Sequence, residues 1–108
     1  MTMIEHLTKD SFKQKVFDYQ NSRVYRFEGE RPVVIDFYTN WCVPCKTIAP
    51  ILEELQREYE GKVDIYKVDS DMEKELVKAF NVRSIPTLMF VPVEGQPQVC
   101  LLYTSDAA

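Results

Sequence analysis

The chain has 108 residues, 45% of them hydrophobic and 28% charged, with three glycines and a formal net charge of −4. That is enough for one core and far from the composition of disordered chains, so a single domain over residues 1–108 is expected. The acidic balance provides no basic stripe for phosphates, which argues against nucleic acid and anionic membrane surfaces as partners.

The N-terminus, Met1 to Thr8, lacks the basic start and apolar run of a signal peptide, and no later segment has the length of apolar chain that spans a bilayer. A cytoplasmic location is therefore expected, or a periplasmic one if a leader has been removed. Ile4 to Thr8 reads as a short strand, and Thr8-Lys9-Asp10-Ser11 supplies side-chain oxygens suited to starting a helix. Phe12, Val16 and Phe17, with Tyr19 or Tyr25, give that helix an apolar face. Gln20 to Arg31 is polar and reads as an irregular insertion, although Val24-Tyr25-Arg26-Phe27 alternates like an edge strand. After Pro32, Val33-Val34-Ile35-Asp36-Phe37-Tyr38 is a continuous apolar run, the pattern of a strand buried on both faces. Ile48, Ile51, Leu52, Leu55 and Tyr59 then recur at helical spacing up to Gly61, and Pro50 is expected to kink the helix they define.

Val63 to Asp69 alternates as a second central strand, and Ser70-Asp71-Met72-Glu73 reads as a capping box for a helix through Phe80. Thr87 to Val91 is a third apolar strand, followed by a turn over Pro92 to Gly95 and a last β-like run, Val99 to Tyr103. Strands alternating with helices give an α/β fold with parallel neighbours, closed by an antiparallel hairpin.

Three cysteines exclude a fully paired disulfide framework. Cys100 sits in an apolar stretch and reads as a small buried or half-buried thiol. Cys42 and Cys45 flank Val43 and Pro44 between the first central strand and its helix. A closed zinc site wants four Cys or His ligands, and only Cys100 and His6 remain, each alone in a different element, so no metal is expected. A purely structural disulfide over so short a loop constrains the unfolded chain little. A working redox pair explains the placement better. A helix start presents unsatisfied N–H groups and the positive end of the helix dipole, which favour a thiolate at Cys42. Cys42 is then the exposed attacker, and Cys45, one turn in and more buried, the thiol that resolves a mixed disulfide.

Residues 33–52, with Trp41-Cys42-Val43-Pro44-Cys45-Lys46 at their centre, resemble the active-site region of thioredoxins, and Ser84-Ile85-Pro86-Thr87 resembles the second signature of that family. The resemblance runs from about Ile4 to Gly95. It implies a thioredoxin-like fold, a central mixed β-sheet flanked by helices, and a protein-disulfide reductase. Such an enzyme needs no cofactor beyond a redox-active Cys42–Cys45 disulfide. Its implied partners are disulfide-containing proteins and a thioredoxin-reductase-type electron donor. By the same resemblance Cys42 is the nucleophile, Cys45 the resolving cysteine, Asp36 the buried acid behind them and Lys67 its neighbour. Trp41, Val43, Pro44, Ile85 and Pro86 form the substrate-binding surface, with Pro86 as a cis-proline facing the disulfide.

Each assignment also has a physical reading. A carboxylate at the end of an apolar strand is desolvated, so Asp36 should hold its proton to higher pH and can exchange it with the Cys45 thiol. Plainer roles exist for each: Asp36 capping a turn, Lys67 a solvated strand residue, Trp41 partly in the core, Pro86 a trans loop proline, His6 an ordinary strand residue. The rival functions are a thiol oxidase or disulfide isomerase of the same fold in an oxidising compartment, and a non-catalytic binding module of that fold.

Three features depart from the family pattern. Val43 replaces the usual glycine and puts a β-branched group beside Cys42. Pro44 is retained and offers the thiolate no donor, which favours a reducing potential of about −270 mV over the roughly −120 to −180 mV of oxidants and isomerases. The insertion between Gln20 and Arg31 is longer than the usual connection. At the C-terminal end the helix expected after the last strand is missing. Residues from about 96 to 108 form an atypical tail, and the string from Cys100 resembles the translated sequencing-adapter ends of some gene fragments.

Overall fold

The computed structural model describes residues 4–19, 31–93 and 97–101. Eight elements follow one another: β1 (Glu5–His6), α1 (Lys9–Lys15), β2 (Val33–Tyr38), α2 (Val43–Glu58), β3 (Asp64–Asp69), α3 (Lys74–Ala79), β4 (Thr87–Val91) and β5 (Gln98–Leu101). The expected strand at Val24–Phe27 and the end of the run to Tyr103 lie outside the described residues, as do residues 94–96 of the turn before β5 and the tail from 102 onward.

The five strands form one mixed sheet in the order β1-β3-β2-β4-β5. β3 runs parallel to both β1 and β2, whereas β4 is antiparallel to β2 and β5 antiparallel to β4. The parallel step from β2 to β3 needs a crossover, and α2 supplies it. β2 lies at the centre and is buried along almost its whole length, the environment its unbroken apolar run called for. β5 continues the sheet to Leu101, pairing Leu101 with Thr87.

Side chains alternate between the two faces of each strand. On one face Val33, Ile35, Phe37, Val68, Met89 and Val91 pack with Phe12, Val16 and Leu76 of the α1 and α3 regions. On the other, Val34, Ile65 and Leu88 pack against Ile48, Leu52 and Leu55 of α2. Helices thus cover both faces, in three layers. α1 starts as its sequence suggests: Thr8 is the N-cap, its side chain accepts from the Ser11 amide at 3.2 Å, and Ser11 Oγ accepts from the Thr8 amide at 2.8 Å.

Two local expectations are corrected. The four residues from Ser70 to Glu73 do not form a capping box, since Glu73 is the N-cap of α3 and its side chain makes no capping bond. Asp69 acts instead. Its Oδ1 accepts from the amides of Asp71 and Met72 at 3.0 and 3.3 Å, and its carbonyl accepts from Glu73 at 2.8 Å. This is the Asx turn that a short carboxylate forms readily at a strand end. In α2, Ile51 and Tyr59 face solvent, while Gln56 is buried with Cys45 and Leu52. The helix is rotated to set Cys45 against the sheet, and its apolar stripe follows that constraint. Pro50 lies within α2, where it has no amide to donate to the Lys46 carbonyl.

Phe12 is fully buried and meets Phe17, Tyr19 and Phe80 at ring-centroid distances of 5.2–5.8 Å. Phe12→Ala should lower the unfolding free energy by about 3–5 kcal/mol in urea titrations. Ile51→Ala, at an exposed position, should change it by no more than about 0.5 kcal/mol. Equal losses would contradict the orientation of α2.

Candidate active site

β2 ends at Tyr38, and four residues later Cys42 is the N-cap of α2, with extended backbone angles (φ −84°, ψ 113°). Pro44 falls in the first helical turn, where a missing amide costs nothing. The Cys42 amide donates to the Thr39 carbonyl at 3.4 Å, and Cys42 Sγ accepts from the Cys45 amide at 3.1 Å. Cys42 and Cys45 are joined by a disulfide, with Cα atoms 5.3 Å apart. One sulfur therefore does what a serine or aspartate oxygen does at other helix starts: it satisfies an amide that has no intrahelical acceptor.

The expected contrast between an exposed Cys42 and a buried Cys45 is not present. They are 5% and 4% exposed, and Tyr38 and Ile85 pack around both. What distinguishes the two is position, Cys42 capping the helix and Cys45 lying inside it.

Asp36 is fully buried, and neither carboxylate oxygen has a hydrogen-bond partner among the described residues. Register pairs it with Lys67 on β3 and Leu88 on β4, on the same face as Val34 and Tyr38, the face that α2 covers. Burial pushes its carboxyl up to about 6, and the Lys67 ammonium opposes part of that rise. Lys67 is half-buried, with Nζ 4.6 Å from the centre of the Tyr38 ring. The ring face attracts the ammonium.

Trp41 is 69% exposed, and its indole Nε1 donates to Asp71 Oδ2 at 2.9 Å, so it stands beside the disulfide rather than in the core. Val43 is 70% exposed. Its branched side chain points to solvent. Pro86 is buried and follows a cis peptide bond after Ile85. Thr87 Oγ1 donates to the Ser84 carbonyl at 2.5 Å, bracing the loop that carries both. Two features escaped sequence reasoning: Tyr38 as a wall of the disulfide, and a hydrogen bond between its hydroxyl and His6 Nδ1 at 3.0 Å. No spacing rule pairs residues so far apart in the chain, and only the strand order β1-β3-β2 brings them together.

Among the described residues there is no group of three or more His, Cys, Asp or Glu side chains that would hold a metal ion, and no helix long and apolar enough to cross a membrane. The reactive group is the disulfide, set on a helix N-terminus with a buried acid on the sheet face beneath that helix. This arrangement defines a thiol–disulfide oxidoreductase.

The chain matches the thioredoxin family model over residues 3–101. It is 47% identical over 102 residues to a thioredoxin of Borreliella burgdorferi, an alignment covering 94% of this chain and 87% of that protein. It is 42% identical over 86 residues to thioredoxin C-2 of Corynebacterium nephridii, covering 80% and 70%. It is 48% identical over 63 residues to an M-type chloroplastic thioredoxin of Spinacia oleracea, covering 58% and 35%. The chain belongs to the thioredoxin family and is a disulfide reductase of the thioredoxin type.

The buried carboxyl has a consequence for stability. The unfolded chain releases the Asp36 proton near pH 3.8 and the folded chain near pH 6. Between these values the folded state binds more protons, so stability falls as pH rises and stays lower above about 6. Asp36→Asn removes this loss. The oxidised variant should match the parent chain near pH 4 and exceed it by about 3 kcal/mol at pH 8 in urea unfolding. A difference independent of pH would contradict the burial argument.

Proposed function

We propose that the chain reduces protein disulfides through Cys42 as nucleophile and Cys45 as resolving thiol. The observation that carries this reading is the bond from the Cys45 amide to Cys42 Sγ at the start of α2, because the donor that meets the sulfur in the disulfide also stabilises it as a thiolate. In the reduced protein the Cys42 thiolate attacks one sulfur of a substrate disulfide. That S–S bond breaks, a mixed disulfide forms and the first substrate thiolate leaves. Cys45 gives its proton to the Asp36 carboxylate and attacks Cys42 Sγ. The Cys42–Cys45 disulfide closes and the second substrate thiolate leaves, protonated from Asp36 or water. Two electrons pass from the dithiol to the substrate.

In this reading Trp41, Val43, Pro44, Ile85 and Pro86 line the surface on which the substrate docks, supported by the exposure of Trp41 and Val43 and by the packing of Ile85 against the cysteines. Lys67 limits the desolvation cost of the Asp36 carboxylate, in line with its opposing effect on that group. A thioredoxin-reductase-type donor recharges the disulfide. The reaction belongs to a reducing compartment, the cytoplasm, with disulfide proteins as partners and neither nucleic acid nor membrane. The whole chain acts as one domain, a reading supported by the single sheet that joins all five described strands.

A Cys100→Ser background removes adducts at the third cysteine. In it, Cys45→Ser should accumulate mixed disulfides between Cys42 and a disulfide-bonded protein such as insulin, seen as dithiothreitol-sensitive bands. Turnover should fall by more than a hundredfold. Cys42→Ser should trap far less. Equal trapping by the two variants would reverse or cancel the assigned roles.

A further inference from the structure

β1 ends at His6, which pairs in register with Lys67, itself paired with Asp36. The three lie in one row across the sheet, on the face covered by α2. One row nearer the disulfide, Tyr38 reaches back to this line. Its hydroxyl is 3.0 Å from His6 Nδ1, and the two rings meet edge to face at 5.6 Å. The other side of Tyr38 packs into one cluster with Cys42 and Cys45. We propose that His6 is a positioning residue of the redox site: by holding the Tyr38 hydroxyl it pins the ring against the Cys42–Cys45 disulfide and tilts the exchange equilibrium toward the disulfide form. The inference rests on the redox reading of the cysteine pair.

Reduction replaces an S–S bond of about 2.0 Å by two sulfurs at van der Waals separation, and in a close-packed interior the added room must come from the neighbours. Those neighbours are Tyr38 and Ile85. Tyr38 is held at its backbone, where its carbonyl accepts from Ser70 at 2.8 Å, and at its tip by His6. A ring fixed at both ends resists the displacement that the dithiol requires.

The charges facing the ring keep its hydroxyl protonated. Burial first, and then the Asp69 and Asp36 carboxylates of β3 and β2, hold the Tyr38 phenol above its ordinary range. Lys67 of β3 sits over its face. The residues that α2 buries are Cys45, Leu52 and Gln56, none of them charged. The phenol therefore stays protonated where its hydroxyl meets His6 Nδ1.

The test is the equilibrium with glutathione at pH 8, above the range where imidazoles ordinarily ionise, in the Cys100→Ser background. Two glutathione thiols become one glutathione disulfide as the Cys42–Cys45 bond takes up two electrons and two protons. Tyr38→Phe, which keeps the ring, and His6→Ala should each move the equilibrium constant toward the dithiol by about two- to tenfold, the range of one net hydrogen bond. The double variant should move it no further than either single change. In urea, each variant should destabilise the oxidised protein more than the reduced protein by that same factor, a difference that general loss of structure does not produce. Unchanged constants, additive shifts, or equal destabilisation of both forms would overturn the brace. Failure of the parent protein to equilibrate with glutathione would overturn the redox reading itself, and the brace with it.

Discussion

The amides at the start of α2 have no carbonyl to bond, and a sulfur atom meets one of them. This constraint organises the rest of the molecule. For Cys42 to cap the helix, β2 must end deep in the sheet, and its burial on both faces secures that. For α2 to start at that point and still cover one face, it must carry the crossover to a parallel β3. For Cys45 to lie against the sheet, the helix must turn Ile51 and Tyr59 outward, although both are apolar. A chain optimised only for burial would have no reason to leave those two side chains in water. The rotation of the helix thus sets Cys45 against the sheet together with Ile48, Leu52 and Leu55.

The electrostatics of the site are a balance between two opposed effects. Desolvation raises the Asp36 carboxyl and the Lys67 ammonium opposes part of that rise, whereas a fully exposed carboxylate would lose its proton at about pH 4. The balance leaves the group at about 6, a range suited to the proton exchange with Cys45 proposed above. Lys67 is itself kept in place by the Tyr38 ring. Tyr38 thus links the acid, the ammonium and the disulfide, a concentration of roles on one side chain that the sheet register makes geometrically simple.

Most of the fold was legible in the sequence. β2, β3 and β4 are dense in β-branched and aromatic residues, α1 announces its start with Thr8 and Ser11, and alternating strands and helices imply the mixed sheet. The cysteine pair was legible from its spacing and its position between a strand and a helix, and the neighbouring roles from family resemblance. Other features depend on contacts between distant elements, which a linear reading does not contain. Asp69, rather than Ser70 or Glu73, organises the entry to α3, because a strand end frees its carboxylate to bond the next amides. Gln56 is buried where Tyr59 was expected, because the face of α2 that carries Cys45, Ile48, Leu52 and Leu55 against the sheet also carries Gln56. The exposed/buried contrast between the cysteines failed because Tyr38 and Ile85, on other elements, pack around both sulfurs.

On the mechanism proposed above, the start of α2 stabilises a thiolate on Cys42. Its most direct measurement is the pH dependence of alkylation at Cys42 in the fully reduced protein, read residue by residue by mass spectrometry with dilute iodoacetamide. An unassisted thiol has a midpoint near pH 8.5. The account predicts a Cys42 midpoint at least about one unit below that value, with Cys45 reacting more slowly at every pH. A Cys42 midpoint at or above about 8.5, or faster reaction at Cys45, would contradict it.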